Sequence, residues 1–175
     1  MILKSLKVRN KNKLICNVQF VPSDFECNPQ GMFSTVIIGV NGSGKSYLLK
    51  LIIDIIRRLE AECDGRRLKA VKSMRYDDYF LSFEINKLNI NIQIKENKLF
   101  LFVNEKEVLN AIKDIKDILP SNLLAVGFMV NDKFVFDRGV NSIYQYNGVR
   151  TTSNSTQTKS IERKLVKMRN LCDAV

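Results

Sequence analysis

The sequence predicts an α/β fold organised around a glycine-rich loop, and three observations carry that prediction. A short, apolar, β-branched run at residues 34–38 leads directly into a glycine-rich octet at 39–46. Leucine and isoleucine then dominate residues 47–62, a stretch too long for a strand and apolar around most of its circumference, as a buried helix is. Farther on, residues 79–103 alternate apolar and polar side chains with period two, the pattern of strands with one wet face.

Taken in order, residues 2–9 and 14–20 read as two short strands joined by a polar turn at 10–13, a hairpin. Residues 21–32 hold two prolines, a glycine and two acids, and read as a loop. Ser34, Thr35, Val36, Ile37 and Ile38 read as a buried central strand. The helix at 47–62 is ended by Gly65. Strands at 79–86, 88–95 and 99–103 form a meander, turning at Asn86 and Lys87 and again at 96–98. Within it Leu88, Ile90, Ile92 and Ile94 face one way, and Asn89, Asn91, Gln93 and Lys95 the other. Residues 108–119 read as an amphipathic helix closed by Pro120, residues 123–130 as a second buried strand, and 143–146 as a further one. A serine- and threonine-rich loop at 151–158 precedes a basic amphipathic helix at 159–175. The expectation is a single domain over 1–175, with an antiparallel sheet inserted at 76–104 and the basic helix at its end.

The octet has glycine at 39 and 44 followed by Lys45 and Ser46, the full Walker A pattern G-x-x-x-x-G-K-S. Glycines at 39, 42 and 44 permit backbone torsions that other residues resist, and they let amide groups close around phosphate oxygens. A helix starting near Lys45 adds the positive end of its dipole to the same anion. Lys45 is expected to reach the β- and γ-phosphates of ATP, and the Ser46 hydroxyl to ligate Mg²⁺. A glycine-rich turn can match such a pattern by chance, but a strand before it and a helix after it are the context that gives the pattern meaning.

Composition narrows the setting. No apolar run approaches the ~18 residues a membrane span needs, and the first residues lack the apolar core of a signal peptide. Cys16, Cys27, Cys63 and Cys172 form no C-x-x-C pair, and the chain has no histidine to complete a zinc site. They read as free thiols in a reducing cytoplasm. With 28 basic and 18 acidic residues the net charge is +10, which favours a polyanionic partner such as nucleic acid. Coding biased towards lysine, asparagine and isoleucine gives the same excess, so charge alone leaves both readings open.

At residues 38–46 the chain resembles the ABC-type ATPases of the SMC and RecF group, whose loops read G-x-N-G-x-G-K-S. Two strands ahead of the loop and a meander ending in 99–104 agree with that likeness. The resemblance implies a P-loop NTPase lobe of ABC type, with the meander inserted after the P-loop helix. It also implies ATP and Mg²⁺ as cofactors. The nucleotide set is then Gly39, Asn41, Gly42, Ser43, Gly44, Lys45, Ser46 and Tyr47, with Arg9 and Asn10 approaching from the end of the first strand. Segments 119–126, 132–134 and 146–150 resemble ATPases of bacterial antiphage systems, of the Septu and retron-associated kinds.

The likeness stops at the N-terminal lobe. The chain has no Ser-Gly-Gly signature loop, no apolar run ending in Asp-Glu, and no switch histidine. In the group two heads sandwich two nucleotides and each supplies the signature loop to the other. The resemblance therefore implies an incomplete ATPase domain, a switch in a larger complex, completed by a C-terminal lobe, a second copy or an effector subunit.

Two further candidates lie after residues 123–130. Asn131 or Asp132 stands where a Q-loop would follow the strand. In a self-sufficient NTPase or kinase, Asp132 would instead hold Mg²⁺ through water and act with Lys45 in catalysis. Asp54 mimics a Walker B acid but lies on the P-loop helix and is set aside. In the C-terminal helix Arg163, Lys164, Lys167 and Arg169, with Arg150 before it, could face nucleic acid. Ile161, Leu165, Met168 and Leu171 form a stripe that a partner surface could cover.

Overall fold

The computed structural model describes residues 1–22, 25, 34–63, 74–108, 118–127, 134–135 and 142–148. The chain clusters into two compact units, one of Met1–Lys45 with Leu51–Pro120, the other of Ser46–Lys50 with Ser121–Val175.

The first unit contains a six-stranded, wholly antiparallel sheet. Its strands are β1 (Ile2–Asn10), β2 (Lys13–Gln19), β3 (Asp78–Ile85), β4 (Leu88–Lys95), β5 (Lys98–Val103) and the two-residue β6 (Lys106–Glu107), in the order β2-β1-β3-β4-β5-β6. Hairpin and meander both form as the alternation predicts. The unforeseen feature is their fusion. β1 pairs with β3 along its length, Leu6 opposite Leu81 and Val8 opposite Tyr79, so hairpin and meander make one sheet.

Four tight turns set the register. At Lys11 and Asn12, Asn86 and Lys87, Glu96 and Asn97, and Asn104 and Glu105, both central residues have positive φ between 45° and 67°. That is the type I′ geometry, whose twist suits two-residue hairpins. Asparagine occurs in every one, as the side chain other than glycine that best tolerates the left-handed region. The second meander turn therefore uses two residues, and Lys98 belongs to β5.

One face of this sheet is buried. Leu6, Val8, Leu81, Phe83, Ile90 and Ile92 have no exposure at all, and Tyr79, Ile94 and Leu101 almost none. Helix α1 (Lys45–Cys63) brings Leu51, Ile52, Ile55, Ile56 and Leu59 to the same core, at the helical spacing the sequence displays. The other face carries Lys7, Phe80, Ser82, Gln93, Asn91, Phe100 and Phe102, all half-exposed.

The expected central strand at 34–38 is not formed. Residues 34–40 have no ladder, and Val36, Ile38 and Val40 are 76%, 90% and 79% exposed. A β-branched run becomes a buried strand only when neighbours hydrogen-bond it on each side. The segment is absent from the ladder order of β1 to β6, so no described strand supplies it with those bonds.

In the second unit β7 (Leu123–Gly127) and β8 (Tyr144–Gly148) form a parallel pair, Ala125 opposite Tyr146. Within β7 Ala125 and Gly127 are buried while Leu124 and Val126 are exposed, and residues 128–130 of the expected strand lie outside the described residues. Tyr144 is fully buried, and its hydroxyl donates to the Val135 carbonyl at 2.6 Å. Gly148 is required here, since a Cβ would collide with the Tyr146 ring and stand 2.7 Å from the Gly127 carbonyl. The amphipathic helix expected at 108–119 has residues 109–117 outside the described residues. Gly65, the loop at 151–158 and the helix at 159–175 lie outside them as well.

Candidate functional site

The glycine octet adopts a loop with two backbone positions that favour glycine. Gly42 has φ +84° and Gly44 φ +90°, the left-handed region in which an L side chain costs about 1–2 kcal/mol. A Cβ at either would meet nothing within 4 Å, so bare backbone borders open space on both. At Gly39 the constraint is milder, because a Cβ would stand 2.9 Å from the Ser43 hydroxyl, a group that can rotate away. The Ser43 amide donates to the Val40 carbonyl at 3.2 Å and closes the turn. Alternating right- and left-handed residues make the concave backbone nests that bind anions.

The lysine is held over this loop. Its ammonium donates to the carbonyls of Gly39 at 2.6 Å and Val40 at 2.7 Å, with the Ser43 hydroxyl at 3.5 Å. Its charge is thus centred on the loop's own backbone. Helix α1 starts at Lys45 and carries no acidic residue in its first turn, so no carboxylate of that turn offsets the positive end of the dipole. Two left-handed glycines, the lysine and the helix start thus follow one another along residues 42–45.

The remaining candidates divide. Asn41, Ser43 and Ser46 are exposed, and Tyr47 is half-buried in the first turn of α1. Arg9 and Asn10 close β1, Arg9 opposite Asp78 and Asn10 opposite Lys13, and neither is a hydrogen-bond partner of Lys45. At that hairpin end the Lys11 amide donates to the Asp77 carboxylate at 2.8 Å. Asn131 and Asp132 lie outside the described residues, as do Arg150, Arg163, Lys164, Lys167 and Arg169. Cys16 and Cys63 are not in a disulfide, and burial raises the Cys16 thiol above the ordinary range. Cys27 and Cys172 lie outside the described residues.

Sequence reasoning passed over the half-exposed sheet face. Ser82, Asn89, Asn91, Asn104 and Glu105 line an open cavity of about 530 Å³ on it. The alternation in 88–95 marked the asparagines as outward-facing, but pairing across β3, β4 and the β5–β6 turn is what gathers them.

Comparison with family models, with curated proteins and with solved structures finds no match to this chain. Among the described residues no helix is long and apolar enough to cross a membrane, and no group of three His, Cys, Asp or Glu could hold a metal ion.

Proposed function

We propose that this chain is an ATP-binding lobe of an SMC-like, ABC-type P-loop ATPase, working in the cytoplasm as a nucleotide-dependent switch within a larger complex. One observation carries the reading. The Walker A octet combines two left-handed glycines with a lysine held on the Gly39 and Val40 carbonyls, at the start of a 19-residue helix. Bound ATP supplies the phosphoanhydride. The glycine backbone and helix start receive its phosphates, and Lys45 leaves the loop carbonyls for the terminal phosphates. Ser46 is the one described candidate for a Mg²⁺ ligand, with phosphate oxygens completing the shell.

The exposed run at 34–40 supports an incomplete site. In a P-loop fold that segment lies inside a parallel sheet, so a second lobe, a second copy or an effector subunit would supply its neighbours. The signature loop and acidic Walker B strand that the sequence lacks would come from the same source. The weaker likeness to antiphage ATPases suggests where such a complex acts.

Nucleotide binding and phosphate release by the purified chain test the proposal, with Lys45→Ala beside it. Expected are Mg·ATP binding weakened at least tenfold in the variant and no sustained turnover by either protein, since one lysine–phosphate contact contributes roughly 1.5–3 kcal/mol. A wild-type chain that does not bind ATP ends the proposal. Sustained turnover lost in the variant would replace it with a self-sufficient NTPase, and Asp132 would be tested next.

A further inference from the structure

The half-exposed face of the six-stranded sheet has a composition that its role in the fold does not require. Register places three rows across it. Asn17, Lys7, Phe80, Gln93 and Phe100 stand in one row. Gln19, Ser5, Ser82, Asn91, Phe102 and Glu107 make the next. Arg9, Asp78, Lys95 and Lys98 make a third at the hairpin end. Three phenylalanines thus stand half-exposed among amides and lysines. Single part-exposed apolar rings are common on surfaces, but three on one sheet face, set among amides and lysines, make a surface that suits planar ligands.

We propose that this face binds single-stranded nucleic acid, with bases stacked on Phe80, Phe100 and Phe102. Phe100 and Phe102 are two residues apart on β5, about 7 Å, and Phe80 lies two strands from Phe100, roughly 10 Å away. An unstacked strand can match such steps because its backbone extends well past the duplex rise of about 3.4 Å per nucleotide. The half-exposed rings are separated by polar side chains, an arrangement suited to bases set one by one and not to the continuous apolar core of a protein interface.

Charge and hydrogen-bonding groups lie where such a ligand needs them. Lys7, Arg9, Lys95 and Lys98 lie towards the hairpin end, beside the acids Asp77, Asp78 and Glu96, and the basic side chains of that end would receive phosphates. The opposite end holds the cavity of about 530 Å³, lined by three asparagines, Ser82 and Glu105. Carboxamides and carboxylates there are the groups that read base edges. Lys4 steadies this end, ion-paired with Glu84 at 2.8 Å and donating to the Asn89 side-chain oxygen Oδ1, while the Asn104 side-chain oxygen accepts from the Asn89 backbone amide at 2.9 Å. A net charge of +10 favours a polyanion over a neutral glycan, and the chain has no tryptophan to form a sugar platform.

Fluorescence anisotropy of the full chain with a labelled mixed-sequence oligonucleotide, single-stranded and as duplex, in DNA and RNA, tests the proposal. Expected are tighter binding of the single strand and a loss of roughly fivefold or more in each of Phe100→Leu and Phe102→Leu, with the salt dependence unchanged. Lys7→Ala should instead lower the salt slope, by about one phosphate contact. Lys45→Ala should bind the oligonucleotide as the parent does, which separates this face from the ATP site. Ultraviolet crosslinking of the unaltered chain, with adducts mapped by mass spectrometry, needs no variant to fold and should mark Phe80, Phe100 or Phe102. No binding at low salt, duplex bound at least as tightly, or crosslinks confined to 159–175 would overturn the proposal. So would binding that survives both leucine variants or that heparin displaces as readily as oligonucleotide, because either marks a generic polyanion surface.

Discussion

The antiparallel sheet and the segment leading to the glycine loop draw on the same kinds of residue and end in opposite states. Ile90, Ile92 and Ile94 are buried, while Val36, Ile38 and Val40 stand almost bare. What separates them is pairing. Every isoleucine of β4 sits between two hydrogen-bonded neighbours, Ile92 between Leu81 and Leu101, whereas residues 34–40 have no ladder on either side. Apolar β-branched residues supply the motive for burial, and the backbone's need for hydrogen-bond partners decides whether burial can happen. The sheet meets that need within the chain, through four local turns and one long-range pairing. The loop segment does not.

The widest gap should open between two isoleucine truncations. Ile92→Ala removes a fully buried side chain and is expected to cost about 2–5 kcal/mol in urea unfolding, enough to threaten the fold. Ile38→Ala removes one that is 90% exposed and should stay within about 0.5 kcal/mol. If the two cost the same, residues 34–40 are covered in solution and the comparison fails. Should Ile38→Ala be silent in the isolated chain but weaken assembly with a partner, the exposed segment is the surface that partner covers.

The legibility of this sequence follows the same division. Strands β2 to β5 and helix α1 could be read because their signals are local: alternation bounded by short polar turns, and a helical run of leucine and isoleucine. Pairing of β1 with β3 could not be read, since about seventy residues separate the partners and nothing in either strand names the other. Residues 34–38 were misread for the complementary reason. Ser34, Thr35, Val36, Ile37 and Ile38 look the same whether a neighbour exists or not. Of the candidate site, the glycines and Lys45 can be singled out in the sequence because they belong to one run of consecutive residues. The asparagine-lined cavity was not, because it is assembled across three elements.

A smaller effect sharpens the claim that local turns make the sheet self-sufficient. Lys87 holds φ +64° at the second centre of a type I′ turn, after Asn86 at +51°. Asparagine followed by glycine is the preferred pair for this turn. Lys87→Gly should relieve the strain and, after the added freedom of the unfolded chain is subtracted, stabilise by about 0.5 kcal/mol. The thermal midpoint would rise without a change in nucleotide binding. A fall would mean that the turn tolerates lysine for a reason outside its torsions.

The smallest effect probes the sheet's own margin, where pairing holds but burial thins. β2 is an edge strand, and Cys16 lies opposite Val8 on the side that faces the core. Partial burial disfavours its thiolate and raises the proton affinity above that of a free thiol. Below about pH 8 the thiol is protonated in folded and unfolded chains alike, and its contribution to stability is fully present. As pH rises through the ordinary thiol range near 8.5, the unfolded chain ionises first and that contribution is lost, until the folded thiol ionises too. The stability difference between the parent and Cys16→Ser should therefore shrink from pH 8 to pH 10, and Cys16 should alkylate more slowly than a small free thiol at pH 8. Alkylation as fast as the free thiol would place Cys16 in water, and the ordered sheet would then end at β1.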